Sequence, residues 1–161
     1  LHVRSRRQRQ MCIRDREFTH EDIRDFGEVR EAIETLIFVF AAERHTDEGI
    51  ARLRAAYERE FAAASADEVE AARIAAGEFH EIAAELAGNE MLGELIAVFV
   101  TRLRWLFGQH DDLLGMAEEH RLILDAVAAR DTDTLRWMIP RHLASGQEAA
   151  ERRLSDQAYS I

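Results

Sequence analysis

Lysine is absent from this sequence, and cysteine, proline and long apolar runs are scarce. The single cysteine, Cys12, excludes a disulfide framework and a zinc site built on cysteines. The longest apolar runs, at 36–42 and 95–100, are far shorter than the ~20 residues that cross a bilayer. Pro140 is the single proline. The sequence therefore does not predict a disulfide-rich domain or a membrane-spanning helix.

The composition is that of one acidic globular domain. The 161 residues are 47% hydrophobic and 32% charged, with a formal net charge of −10. The apolar content favours a folded chain over a disordered one, and the length suits a single domain. The acidic balance argues against nucleic-acid binding by the body of the chain.

The first sixteen residues differ from the rest in charge. They read LHVRSRRQRQMCIRDR, with six arginines against one aspartate and no apolar periodicity. One interpretation is a basic arm that binds nucleic acid. The interpretation we favour is a non-native or disordered segment, so that the folded domain covers 17–161. The chain is then expected to be a fragment that lacks its true N-terminal part.

The remaining sequence predicts six helices and no strands, arranged as a single antiparallel all-α bundle. Apolar residues recur about every 3.6 positions, hairpin signals are missing, and the connections are short. Ser65 with Glu68 has the spacing of a capping box, Gly88 suits a helix end, and Asn89 suits the next N-cap. The predicted helices are 22–44, 46–64, 65–87, 89–107, 116–130 and 131–155, the last capped by Asp131 or Asp133, with the longest loop at 108–115.

Two predicted helices have distinctive apolar surfaces. The fourth is apolar over most of its circumference, which predicts a position at the centre of the bundle or against a second subunit. We therefore expect a homodimer. The first has a narrower stripe that we expect to be buried, formed by Phe26, Val29, Ile33, Leu36, Ile37 and Phe40.

Three histidines lie on or beside the inward faces of three different helices. His80 has alanines one turn away on either side, and His120 and His142 have methionine and isoleucine among their neighbours. Three neutral imidazoles that converge can hold a divalent ion such as Zn²⁺ or Ni²⁺ and leave positions open for water or ligand. Taken singly, each is more simply a hydrogen-bonded core histidine.

Four stretches carry a resemblance to a known family. They are FGEVREAIE at 26–34, EFHEI at 78–82 followed by AGN at 87–89, EHRLILDA at 119–126, and MIPRHL at 138–143. In order and spacing the chain resembles the C-terminal FCD domain of GntR-superfamily transcription regulators. The resemblance implies a cytoplasmic, dimeric helical bundle that binds a small organic acid. In many members a metal is bound by one aspartate and three histidines, which match His80, His120 and His142.

The aspartate of that pattern is replaced here. Its position, one turn before His80, is Ala76. Glu78 does not replace it, because two residues along a helix point to nearly opposite sides. A site of three neutral ligands should bind a divalent cation more weakly and favour an anionic effector in the vacant position. A polar pocket without metal is the alternative.

Two arginines are candidates for binding the effector. Arg30 lies near the apolar stripe of the first helix, where its guanidinium can turn inward to a carboxylate or pair with Glu34 one turn away. The resemblance supports the inward orientation. Arg102 lies within the apolar face of the fourth helix, so it needs an anionic partner, either an effector or an acid such as Glu34.

These observations favour a non-enzymatic ligand-binding and dimerisation domain of a bacterial transcription regulator. Such a domain would sense a small carboxylate and modulate DNA binding by a winged helix-turn-helix domain. Since no such module fits in residues 1–21, we expect no specific DNA binding by this chain alone. The alternatives are a metal-dependent helical-bundle enzyme acting on a small carboxylate and a non-catalytic helical adaptor. Catalytic motifs such as His-Glu-x-x-His or Gly-x-Ser-x-Gly are not present.

Overall fold

The computed structural model describes residues 19–97 and 111–158. These residues form six helical segments and contain no strand, which confirms the all-α prediction. The predicted segment at 1–16 lies outside them. The helices are α1 (His20–Arg44), α2 (Asp47–Ser65), α3 (Val69–Leu86), α4 (90–97), α5 (Leu113–Ala128) and α6 (Thr132–Ala158).

The helices pack as one bundle around a shared apolar core. The α2 helix packs along α3, and α1 packs along α6, while α5 fills the space between α2 and α6. Phe38, Phe79, Leu53, Ile123 and Leu135 are among the largest side chains that are fully buried. In the part of the chain that the structure describes, none of the helices is both long and apolar enough to cross a bilayer.

Local side-chain caps begin most of the helices. Thr19 and Asp22 form a reciprocal capping box at α1, and the side chain of Thr46 accepts a hydrogen bond from the amide of Gly49 in α2. The predicted cap Asn89 accepts from the Leu92 amide, with 3.2 Å between Oδ1 and N. Asp131 likewise accepts from the Thr134 amide at the start of α6, at 3.0 Å.

Two predicted helix starts were wrong. Ser65 is the last residue of α2, and α3 begins after Glu68, whose side chain makes no capping bond. The chain turns there through Asp67, which has φ 58°, so the Ser65–Glu68 spacing belongs to a connection. The α5 helix begins three residues earlier than predicted, because Asp112 caps it by accepting from the Gly115 amide at 2.8 Å.

The buried face of α1 differs from the predicted stripe. Val29 and Leu36 are 45% and 41% exposed. Arg30 and Glu34 are instead buried. The physical reason is that the two ionised side chains pair with one another and with a histidine of α3, so their charges are compensated inside the bundle.

The fourth predicted helix is described only in its first part. Residues 98–107, including Arg102, lie outside the described ranges. Within α4, Leu92 and Ile96 are buried, whereas Met91 and Leu95 are 63% and 40% exposed. One side of this segment therefore contacts the core, and another side presents apolar groups to solvent in the single chain.

The C-terminal end of α1 is held by an arginine from a distant part of the chain. Arg130, which follows α5 with φ 57°, donates from Nη1 to the carbonyl oxygens of Ala42 and Glu43 at 2.7 and 2.8 Å. Its Nη2 donates to the carbonyl of His45 at 3.0 Å. These carbonyls lie at or near the end of α1, where helical partners run out, so the guanidinium supplies their hydrogen bonds.

Candidate metal centre

The three predicted histidines meet at one point in the bundle. His80 comes from α3, His120 from α5 and His142 from α6, and all three are buried. The Nε2 atom of His120 lies 3.2 Å from Nε2 of His80 and 3.2 Å from Nε2 of His142. In the described residues they are the one group of three potential metal-ligand side chains whose ligand atoms lie within 4.8 Å of each other.

Each imidazole faces a carboxylate on the side away from this point. Glu34 Oε2 lies 2.6 Å from Nδ1 of His80, and Glu60 Oε2 lies 2.7 Å from Nδ1 of His120. Glu119 is 2.7 Å from Nδ1 of His142, through its Oε2. A carboxylate at Nδ1 favours the proton on that nitrogen, which leaves the Nε2 lone pairs directed at the centre.

This arrangement fits a divalent cation. Nitrogen ligands about 2.0–2.1 Å from a tetrahedral ion lie about 3.3–3.4 Å apart, which is close to the two 3.2 Å separations seen here. Neutral imidazoles with protonated Nδ1 atoms have no donor to share between their Nε2 atoms, so the centre needs a cation or additional protons. Imidazole is a preferred ligand of zinc and nickel.

Arg30 and Glu34 form a buried ion pair beside His80. The Arg30 Nε atom is 2.5 Å from Glu34 Oε1, and the two side chains are 4% and 1% exposed. Burial raises the pKa of Glu34, but the charge of Arg30, the interactions with His80 and the hydrogen bonds to both residues outweigh it and bring the pKa to about 2. Burial lowers the pKa of His80 more than Glu34 raises it, which favours a neutral imidazole ready to bind a cation.

Aromatic rings enclose the centre on one side. The Phe79 ring stacks on His120, with 4.6 Å between the ring centroids, and the edge of Phe38 meets His80 at 5.5 Å. These contacts limit the rotation of two of the three imidazoles. Exclusion of water by the rings also strengthens the electrostatic interactions between the histidines and their carboxylates.

Ala76 contributes no ligand to this centre. It is fully buried one turn before His80. It belongs to a small apolar cluster whose other members are Ala63, Ala64, Ala72, Leu113 and Met116. The position therefore provides packing between α2, α3 and α5 instead of a carboxylate.

Of the predicted effector residues, Arg30 lies at the site. It is turned inward and is also paired with Glu34, so the two orientations considered from the sequence occur together. Arg30 also lines a small cleft of about 50 Å³ between α1 and α6, whose wall includes Phe26, Gly27, Pro140 and Gln147. Arg102 is outside the described residues.

Sequence reasoning missed Glu60 and Glu119 as partners of the histidines. A signal for Glu60 was present, because it lies on the face of α2 that also carries Leu53, Ala56 and Ala63. A carboxylate at a core position of a helix needs a partner, and the partner is His120 on another helix. Glu119 occupies a partly exposed position, with a side chain that is 42% exposed. It therefore did not stand out in the sequence as a carboxylate at a core position.

Comparison with known proteins agrees with this fold. A family model for the FCD domain matches residues 25–145. The HTH-type transcriptional regulator LutR of Bacillus subtilis is 31% identical over 118 residues, which are 68% of this chain and 53% of that protein. The HTH-type transcriptional repressor NanR of Salmonella schwarzengrund is 31% identical over 134 residues, 76% of this chain and 48% of that protein.

A solved structure gives the same fold. That of E. coli McbR/YncC superposes with a TM-score of 0.71 at 18% identity, covering 88% of this chain and 71% of that one. The present chain spans about half the length of the two curated relatives that it matches. The similarity therefore concerns one domain of those regulators.

Proposed function

The chain belongs to the FCD domain family of GntR-superfamily transcription regulators, and from this we propose that it senses a small carboxylate through a divalent metal. His80, His120 and His142 would hold the ion. The observation that carries the proposal is the convergence of three Nε2 atoms, each on an imidazole whose Nδ1 faces a glutamate. Outer carboxylates of this kind orient histidine ligands and raise their basicity.

The charges around the centre support a divalent ion. Arg30 and Glu34 neutralise one another as a pair, which leaves Glu60 and Glu119 as two further carboxylates in contact with the imidazoles. A cation held by the histidines would be attracted by both carboxylates. Ala76 therefore takes the place of the aspartate ligand in the family pattern, whereas glutamates on three helices surround the histidines with negative charge.

We place the carboxylate of the effector between the metal and Arg30. Three protein ligands leave a tetrahedral or octahedral ion with open positions for an anionic oxygen. Arg30 offers a guanidinium suited to a carboxylate, and it lines the cleft between α1 and α6. Because Arg30 is already paired with Glu34, an effector must compete with that glutamate or share the guanidinium with it.

Binding at this point would connect five helices. Arg30 and Glu34 belong to α1, Glu60 to α2, and the histidines to α3, α5 and α6. An effector can shift a dimer between two arrangements only if its affinity for them differs. A shift of these helices relative to one another would provide such a difference. In a cytoplasmic regulator this shift would alter DNA binding by a winged helix-turn-helix domain, with no catalytic turnover.

The first test is the metal content of the chain purified without chelator. We expect about one Zn or Ni per chain, and none in a variant in which His80, His120 and His142 are all alanine. His45, which is buried elsewhere in the fold, provides the control: His45→Ala should retain the metal. Absence of metal from the unsubstituted chain, even after incubation with Zn²⁺ or Ni²⁺, would contradict metal dependence.

The second test concerns the effector. Small mono- and dicarboxylic acids are screened for an increase in Tm with the metal-loaded chain and with the metal-free chain. We expect stabilisation by at least one acid only when metal is present, and recovery of that acid unchanged after incubation. Conversion of the acid to a product would instead favour the metal-dependent enzyme considered from the sequence.

A further inference from the structure

We infer that Glu60 is a positioning residue of the metal centre, which holds His120 as the Nδ1–H tautomer and provides the buried negative charge that a divalent cation balances. The inference rests on the metal site proposed above. The sequence gives it no support beyond the position of Glu60 on a core face. It follows from the contacts and burial of Glu60 compared with those of the other two glutamates.

The environment of Glu60 is unusual for an ionisable side chain. It is fully buried on α2, on the face that carries Ala56 and Ala63. Its Oε2 lies 2.7 Å from Nδ1 of His120, while its Oε1 makes no hydrogen bond with the described residues. A carboxylate buried with a single hydrogen-bonding partner is more stable when a cation lies nearby.

The other two carboxylates are compensated in different ways. Glu34 has the guanidinium of Arg30 next to it, and the Glu119 side chain is 42% exposed to water. Glu60 is fully buried, and no guanidinium among the described residues lies within ion-pair distance of it. A cation bound on the opposite nitrogen of His120 would compensate the carboxylate through the imidazole.

His120 is the imidazole on which the centre depends most. Its Nε2 is the atom that lies 3.2 Å from both of the other Nε2 atoms, and its side chain is fully buried. The stacked ring of Phe79 fixes the plane of the imidazole, and Glu60 fixes which nitrogen carries the proton. Without Glu60 the proton could move to Nε2 and block the centre.

The decisive experiment measures the Zn²⁺ affinity of Glu60→Gln by competition with a chelator at constant pH. Gln keeps the size of the side chain and an acceptor for Nδ1–H but removes the charge. We expect the affinity to fall about 10–100-fold, as for other outer partners of metal-binding histidines. The control is Glu58→Gln, an exposed glutamate on the same helix, which should bind Zn²⁺ like the unsubstituted chain.

A purely structural role predicts a different result. Glu60→Gln would then lower the Tm of the metal-free protein and leave the Zn²⁺ affinity unchanged, which would overturn the inference. If the unsubstituted chain binds Zn²⁺ tightly and the variant binds equally well, this inference fails while the proposed metal site stands. If the unsubstituted chain binds neither Zn²⁺ nor Ni²⁺, both fail.

A spectroscopic measurement on the unsubstituted chain does not depend on folding of the variant. Long-range ¹⁵N–¹H correlation spectra of the histidine rings distinguish a protonated from a metal-bound nitrogen. With Zn²⁺ present, we expect His120 to carry its proton on Nδ1 and to bind through Nε2. A His120 that binds the ion through Nδ1, or that carries its proton on Nε2, would contradict the role assigned to Glu60.

Discussion

At the scale of single residues, buried charge distinguishes this domain from a purely apolar bundle. Arg30, Glu34 and Glu60 are ionisable side chains buried within the bundle. Glu34 and Glu60 contact histidines of the centre, and Arg30 pairs with Glu34. Burial of such groups is costly without compensation. Their arrangement is therefore more readily explained by ligand binding than by stability alone.

Removal of Arg30 tests how strongly the buried pair is coupled. We expect Arg30→Met to lower the free energy of unfolding by about 3–5 kcal/mol, because Glu34 would keep its charge in the interior without the guanidinium. Arg59→Met is the matched control, since Arg59 pairs with Glu78 at 2.6 Å on the surface, and it should cost less than about 1 kcal/mol.

Urea unfolding of the metal-free chains gives both values. Equal losses for Arg30→Met and Arg59→Met would show that the buried pair contributes no more than an exposed one. The substitution at Arg30 should also abolish any stabilisation by the carboxylate found in the screen proposed above.

At the scale of the helices, the apolar periodicity of the sequence predicted the helices themselves better than the buried polar contacts between them. Asn89 and Asp131 act within one turn of their own positions, so a local pattern was enough to find them. Ser65 and Glu68 match a local pattern as well, but the chain turns between them. Which caps form is decided by where packing allows a helix to end.

The histidine centre shows the same limit. His80, His120 and His142 were found from their apolar neighbours and from a family pattern. Their carboxylate partners lie 46, 60 and 23 positions away in sequence for Glu34–His80, Glu60–His120 and Glu119–His142. The periodicity of one helix does not show which residue of another helix it contacts. These glutamate–histidine pairs could therefore be identified only from the packing of the bundle.

Arg130 offers a test of how one helix end is secured by another part of the chain. We expect Arg130→Ala to lower the free energy of unfolding by about 1–3 kcal/mol, because three carbonyl groups at the end of α1 would lose a charged donor. Alanine has the same difficulty as arginine with the positive φ at this position, so the loss reports the guanidinium.

Arg136→Ala is the control for that measurement. Arg136 is exposed on α6, and its replacement should leave the urea midpoint nearly unchanged. If Arg130→Ala is as stable as the control, water replaces the guanidinium at the three carbonyls without cost. Hydrogen exchange of the last turn of α1 would locate the effect, since its amides should exchange faster in Arg130→Ala.

At the scale of the whole molecule, α1 links the histidine centre to much of the bundle. It packs along α6 and also contacts α3 and α5, and it carries the buried pair that touches His80. A change at the centre therefore reaches a helix that contacts three of the other described helices. This arrangement suits a domain that converts the presence of a small ligand into a change of assembly.

Assembly itself is the last prediction. Met91 and Leu95 lie one turn apart on α4 and expose apolar side chains in the single chain, as expected for a helix that contacts a second copy. We expect the unsubstituted chain to sediment at twice the 18.4 kDa of one chain at micromolar concentration. The double variant Met91→Glu/Leu95→Glu should sediment as a single chain, because four buried carboxylates at a two-fold interface would repel one another. Ile74→Glu, at an exposed apolar position on α3, should remain a dimer. A single-chain mass for the unsubstituted protein would exclude a dimer, and a dimeric double variant would place the interface on another surface.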